Sequence, residues 1–215
     1  MHFEFLVEDV SGVKALKIIV PKLLKEDTYN FHHYKGIGRI PKGLRPKSDA
    51  NRRILLDQLP RLLQGFGRVP SYGNRFIIVI CDLDKKDKKS FLAELNGVLN
   101  ACNPKPDACF CLAIEEFEAW YLGDLPAVRK AYPRAKNIVL SNYVNDSICD
   151  TWEVLADAVY KGGRSALSSK SWHIIGTQKS VWAETISPHM NVETNVSPSF
   201  QYFRDKVQSI AAAAV

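Results

Sequence analysis

No apolar run in this chain approaches the roughly 20 residues needed to span a bilayer. The amino terminus also lacks a basic stretch, an apolar run and a small-residue cleavage site in succession. The chain is therefore expected to be a soluble, cytoplasmic protein without membrane contact. Internal repeats, low-complexity blocks and a clear linker are missing too. Without Gly-x-Ser-x-Gly there is no serine-hydrolase elbow. Without a Walker A loop, any ATP hydrolysis would belong to a partner. Gly36-Ile37-Gly38 lacks the third glycine of a dinucleotide fingerprint and is expected to follow no strand.

Cysteine is sparse and badly spaced for cross-linking. The five residues, Cys81, Cys102, Cys109, Cys111 and Cys149, are odd in number and contain no Cys-x-x-Cys pair. Cys109 and Cys111 sit at i, i+2 of an expected strand, a poor disulfide geometry. They read as buried free thiols of a reducing compartment, and a zinc site would need more ligands than cluster here.

Acid is in deficit overall, with 23 Asp and Glu against 29 Lys and Arg and a net charge of +6. The excess is concentrated. Lys35, Arg39, Lys42, Arg45, Lys47, Arg52 and Arg53 crowd one glycine- and proline-rich stretch with a single acid, Asp49. Such a run is either a phosphate-binding surface or a solvated loop.

The acids that are present collect where apolar runs end. Ile77-Ile78-Val79-Ile80-Cys81 stops at Asp82-Leu83-Asp84. An unbroken apolar run of this length predicts a strand buried on both faces of a parallel sheet. Ligands of open α/β sheets gather at the carboxyl ends of such strands. In extended chain, Asp82 and Asp84 share a side and converge, although Asp-x-Asp after a strand is also a common solvated turn. A second expected strand, 3–8, ends in Glu8 and Asp9 before an amphipathic helix over 12–25, for which Ser11 is a cap. A third, 108–114, runs into Glu115, Glu116 and Glu118, with Glu115 and Glu118 at i, i+3 on a helical face. If the three strands are neighbours, their carboxylates repel unless a hard cation such as Mg²⁺ or Mn²⁺ lies among them.

The remaining pattern predicts a basic loop over 26–48 and helices over 49–66 and 88–101. Asp124 is expected to cap a short helix. After about 133 the texture turns helical: helix 150–160, a Ser/Lys-rich loop 164–171, then helices 178–187 and 198–213. The fold class is α/β. Residues 1–132 form the core, with a basic insertion at 26–48. Residues 133–215 form a helical extension packed on it and not independent.

Leu6-Val7-Glu8 followed by Ser11 and a helix resembles the first motif of TOPRIM domains, and Ile80-Cys81-Asp82-Leu83-Asp84 resembles their Asp-x-Asp motif. That fold serves topoisomerases, primases and overcoming-lysogenisation-defect-type nucleases. The chain resembles more closely a TOPRIM-like bacterial family, a domain-of-unknown-function family, that adds Glu-Ala-Trp-x-Leu and Ser-Pro-Ser-Phe. Here these are Glu118-Ala119-Trp120-Tyr121-Leu122 and Ser197-Pro198-Ser199-Phe200. Asp9 stands where the TOPRIM motif has glycine.

The resemblance implies a TOPRIM-like three-layer core with a mainly parallel sheet and a divalent-metal-dependent nuclease, or a related phosphoryl-transfer enzyme, in defence against foreign DNA. Glu8 would be the general acid/base. Asp82 and Asp84, with Glu118, Glu115 and Asp9, would hold Mg²⁺ or Mn²⁺. Lys35, Arg39, Lys42, Arg45, Arg52, Arg53, Lys85 and Lys86 would contact nucleic acid. Ser11, Lys179, Ser197 and Ser199 would line the site behind the ligands. The alternative is a non-catalytic nucleic-acid-binding adaptor for a separate ATPase.

Overall fold

The computed structural model describes residues 1–42, 53–69, 75–147 and 150–213. Four strands, β1 (His2–Val7), β2 (Thr28–His33), β3 (Arg75–Asp82) and β4 (Ala108–Ala113), form one parallel sheet in the order β2-β1-β3-β4. The apolar runs of β1, β3 and β4 face both ways because both sides of the sheet are covered. Phe3, Phe5, Val7, Ile78, Ile80, Cys111 and Ala113 face one core. Leu6, Ile77, Val79, Cys81, Phe110 and Leu112 face the other.

Two helices cover the second face. Helices α2 (Leu55–Arg68) and α3 (Lys88–Asn100) bring Leu55, Leu59, Leu63, Phe91 and Leu95 to it. The first face is covered by α1 (Val10–Leu23) and by the later helices. These are α4 (Glu118–Leu122), α5 (Leu125–Ala131), α6 (Asn137–Ser141), α7 (Thr151–Val159), α8 (Gly163–Ser168), α9 (Trp172–Ile186) and α10 (Pro198–Ala212). Everything after residue 133 thus supplies much of one core layer. Among the described residues no helix is long and apolar enough to cross a membrane.

The topology selects a place for chemistry. From β1 the chain leaves through α1 on one face; from β3 it leaves through α3 on the other. β1 and β3 are neighbours. Their carboxyl ends therefore flank the crevice where strand connections diverge, the usual ligand position in an open parallel sheet.

The family-like motifs at 118–122 and 197–200 turn out to be packing partners. The Trp120 indole stacks 4.9 Å from Phe203, meets Phe200 edge-on at 5.5 Å and donates to Ser199 Oγ at 3.0 Å. Gly123 closes this junction. A Cβ there would lie 2.6 Å from Ser197 Cβ and 2.8 Å from Ser197 N, and would also strike Asn195 Oδ1. Asn195 and Ser197 are fully buried and cannot yield. Gly123→Ala is expected to cost about 1–3 kcal/mol, read as a lowered urea midpoint with an unchanged slope.

Several elements differ from the sequence expectation. β2 lies inside the stretch expected as loop, because it is an edge strand of mixed polarity (Thr-Tyr-Asn-Phe-His-His) whose polar face is satisfied sideways. His32 Nε2 lies 2.7 Å and His2 Nε2 3.2 Å from Glu4 carboxylate oxygens. Gly36 therefore does follow a strand, though without a third glycine. α8 occupies the expected Ser/Lys-rich loop, and α9 begins at Trp172, since both bury residues at helical spacing (Leu167; Ile175, Trp182, Ala183, Ile186). The cap of α1 is Asp9, which accepts from Gly12 N–H at 2.7 Å. Ser11 sits in the first turn and its hydroxyl donates to Asp9.

Candidate functional site

Glu8 and Asp82 meet at the crevice. Glu8 extends the β1 ladder by one bond, its N–H donating to Ile80 C=O at 3.1 Å. Its side chain then bends across the strand gap, and Oε2 accepts from Asp82 N–H at 2.9 Å. The amide bond explains the pairing, since it partly offsets the cost of placing two acids together. Burial pushes Glu8 up to about 7 against that bond, with the charges of Asp84 and Asp9 adding to the rise. Burial and the Glu8 charge push Asp82 well above the usual carboxylate range, with Lys179 opposing. Lys86 acts against the rise of Glu8 as Lys179 does for Asp82, and burial outweighs both.

Lys179 enters from α9. Its Nζ lies 3.2 Å from Glu116 Oε1 and 3.4 Å from Glu118 Oε2. Burial lifts Glu118, only 2 % exposed, to about 7 while Lys179 opposes the shift. Burial alone would lower the lysine. The fields of Glu118, Glu116, Asp82 and Asp9 outweigh it and hold the ammonium charged. One cation thus serves two acidic groups, and the second oxygen of Glu116 is buried without a hydrogen bond among the described residues.

The expected neighbours β1, β3 and β4 lie side by side, but four of the five expected ligands have partners of their own. Asp84 follows the end of β3 in a left-handed turn (φ 51°), so strand alternation does not carry it to the side of Asp82. Lys86 Nζ takes its carboxylate at 2.6 Å. Glu115 is likewise left-handed (φ 50°) and precedes α4, so it shares no helical face with Glu118; it accepts from Thr151 N–H at 2.8 Å. Glu118 faces Lys179. Asp9 caps α1, though its charge reaches Glu8 and Lys179.

Ser197 and Ser199 belong elsewhere. Asp146 accepts from Ser197 Oγ at 2.7 Å and Ser199 N–H at 2.6 Å, and the Ser199 hydroxyl accepts from Trp120. Of the residues expected behind the ligands, Lys179 contacts the Glu118 carboxylate and Ser11 donates to that of Asp9.

The basic residues differ in their surroundings. Lys35, Arg39 and Lys42 are exposed, and their segment is tied to the site by Gly36 N–H donating to Glu8 C=O at 3.2 Å. Arg53 is occupied, donating to His33 C=O at 2.7 Å. Lys85 lies 3.6 Å from Asp150 on the surface. Arg45, Lys47, Arg52 and Cys149 lie outside the described residues.

Glu116, Glu153 and Tyr121 were not singled out as site residues. Burial raises Glu153 to about 7, with Glu116, Asp150 and Glu115 contributing, and burial lifts the Tyr121 hydroxyl beside Glu118 and Asp9. Glu116 stands in the acidic run after β4 and was legible there; Glu153 and Tyr121 carry no local signal.

Among the described residues no group of three or more His, Cys, Asp or Glu side chains is arranged to hold a metal ion. A closed cage is thus lacking. Mg²⁺, however, is commonly held by one or two carboxylates together with waters and substrate phosphates. The half-buried Glu8–Asp82 pair, with carboxylate oxygens at the crevice, suits that open kind of seat.

The model of one family, described as a domain of unknown function (DUF4276), matches residues 7–208. No curated protein and no solved structure matches the chain.

Proposed function

The chain belongs to the DUF4276 family, and for this member we propose a divalent-metal-dependent nuclease, or a related phosphoryl-transfer enzyme, acting on nucleic acid. The observation that carries the reading is the Glu8–Asp82 pair: two carboxylates from adjacent strands, joined at 2.9 Å through the Asp82 amide, at the diverging edge of a parallel sheet. The resemblance of the two strand-end motifs to TOPRIM domains points the same way.

Asp82, with Glu8 beside it, would hold Mg²⁺ or Mn²⁺, which when bound supplies positive charge to a phosphate and lowers the pKa of a bound water. The protein's own groups do the rest. Glu8, poised at about 7, moves a proton at its free carboxylate oxygen near neutral pH, where acid and base forms coexist. Lys179 holds Glu118 and Glu116 in place and keeps fixed positive charge behind Asp82. Lys35, Arg39 and Lys42 draw a polyanion toward an acidic centre that would otherwise repel it.

The test is degradation of plasmid and single-stranded substrates with Mg²⁺ or Mn²⁺ by wild type and Asp82→Asn. Cleavage by wild type that falls at least about a hundredfold in the variant is expected. The second reading is a nucleic-acid-binding adaptor for an ATPase partner, favoured by the way Lys179 already supplies a resident cation. Equal binding by both proteins with no cutting by either would establish it in place of the first.

A further inference from the structure

Helix α9 reaches the acidic site through Lys179, and the same stripe of the helix runs outward to Trp172. Seven residues separate them, two turns or about 10 Å along the axis, and a drift of only about 20° around it. Trp172 is 81 % exposed, whereas Trp120, Trp152 and Trp182 are buried. Between Trp172 and Lys179 on this stripe lies Gly176, exposed, where a Cβ would meet nothing within 4 Å. The stripe therefore offers a bare indole at its outer end, an open glycine floor, and a lysine among carboxylates at its inner end. Ile174 and Val181 are also exposed, but they fall on the opposite side of the helix.

The surroundings favour an anion. No acid occurs in the first turn of α9. Lys170, two residues before Trp172, is exposed. An aromatic face beside a cation is the combination that holds single strands, because every base has a face to stack and every linkage a charge to meet. A duplex keeps its bases stacked on one another and leaves an indole nothing to take.

We propose that Trp172 is a base-stacking platform for single-stranded nucleic acid, which passes over Gly176 toward the acids at Lys179. The direction of the strand rests on the phosphodiester-cleaving reading above; the platform does not.

The test, in EDTA, follows the anisotropy of fluorescein-labelled thymidine and uridine oligonucleotides of about 20 residues, which gives the affinity of every variant, and in parallel the indole emission with unlabelled oligonucleotide. The other three indoles are buried, so quenching reports on Trp172. Wild type is expected to be quenched. Trp172→Ala is expected to lose the quenching and bind roughly tenfold more weakly, and Trp172→Phe to keep most of the affinity. Binding of neither oligonucleotide by wild type, or Trp172→Ala binding as tightly as wild type, overturns the proposal. Quenching lost in Trp172→Ala, together with no cleavage under any metal, sinks the nuclease reading and leaves the platform standing. Intact cleavage with unaltered affinity in Trp172→Ala does the reverse.

Discussion

Glu8→Gln is expected to stabilise the metal-free protein at neutral pH while cutting phosphodiester cleavage by about a hundredfold or more. The two effects have one cause. Burial raises the Glu8 carboxyl from 4.5 to about 7, so the folded state keeps a proton that the unfolded chain releases. Below about pH 4.5 both states are protonated and the group is neutral toward folding. Between about 4.5 and 7 the unfolded state ionises first and stability falls. Above 7 the loss is complete, at most ~3 kcal/mol and shared with Asp82, which sits in the same field. An amide oxygen at this position can still accept from Asp82 N–H, so the bond survives and the charge does not.

Urea denaturation in EDTA across pH 5 to 8 reads this directly: a declining midpoint for wild type and a flatter one for the variant. Identical pH slopes in the two proteins would show that Glu8 is not the strained acid. Mg²⁺ should raise the wild-type midpoint, more at pH 8 than at pH 5, because protons compete for the same oxygens. That gain should be absent from the variant.

Lys179→Met is the second large effect, with an expected loss of about 3–5 kcal/mol. Glu118 is 2 % exposed and its cation is this ammonium, which also faces Glu116. Removing one partner of a buried pair leaves the other charge uncompensated, whereas removing both leaves little penalty. Lys179→Met/Glu118→Gln should therefore recover most of the loss, and a double-mutant cycle gives the coupling. The pH sign is also set. Without the lysine, Glu118 is driven further up by burial, so the single variant is weakest at alkaline pH and recovers in acid. Loss of less than about 0.5 kcal/mol, the range of an ordinary surface substitution, would remove Lys179 from the site's electrostatics.

Much of the architecture was legible in residues. The apolar runs before Asp82 and Glu115 became β3 and β4 almost residue for residue, and the parallel sheet covered by helices followed from their spacing. That Glu8 and Asp82 stand at neighbouring strand ends was legible in the acids that close the apolar runs; the approach of Lys179 to Glu118 was not. The failures share a physical origin. β2 was hidden because an edge strand with one polar face lacks an apolar run. Asp84 and Glu115 were misplaced because each sits one step past a strand in left-handed backbone, which cancels the alternation or helical phase that would have aimed it. Ser197 and Ser199 were grouped with the acids by motif, yet Ser197 caps α10 and Ser199 holds the Trp120 indole.

Hydrophobic runs and the polar residues that interrupt them are local properties, so the chain's own order of residues determined which segments become inner strands and that acids stand at their ends. Which acids meet was decided by the sheet order β2-β1-β3-β4, which sets Glu8 against the Asp82 amide, and by α9, which carries Lys179 to Glu118. Burial and Coulomb energies depend on distances between residues remote in the chain, and no window of sequence contains those distances.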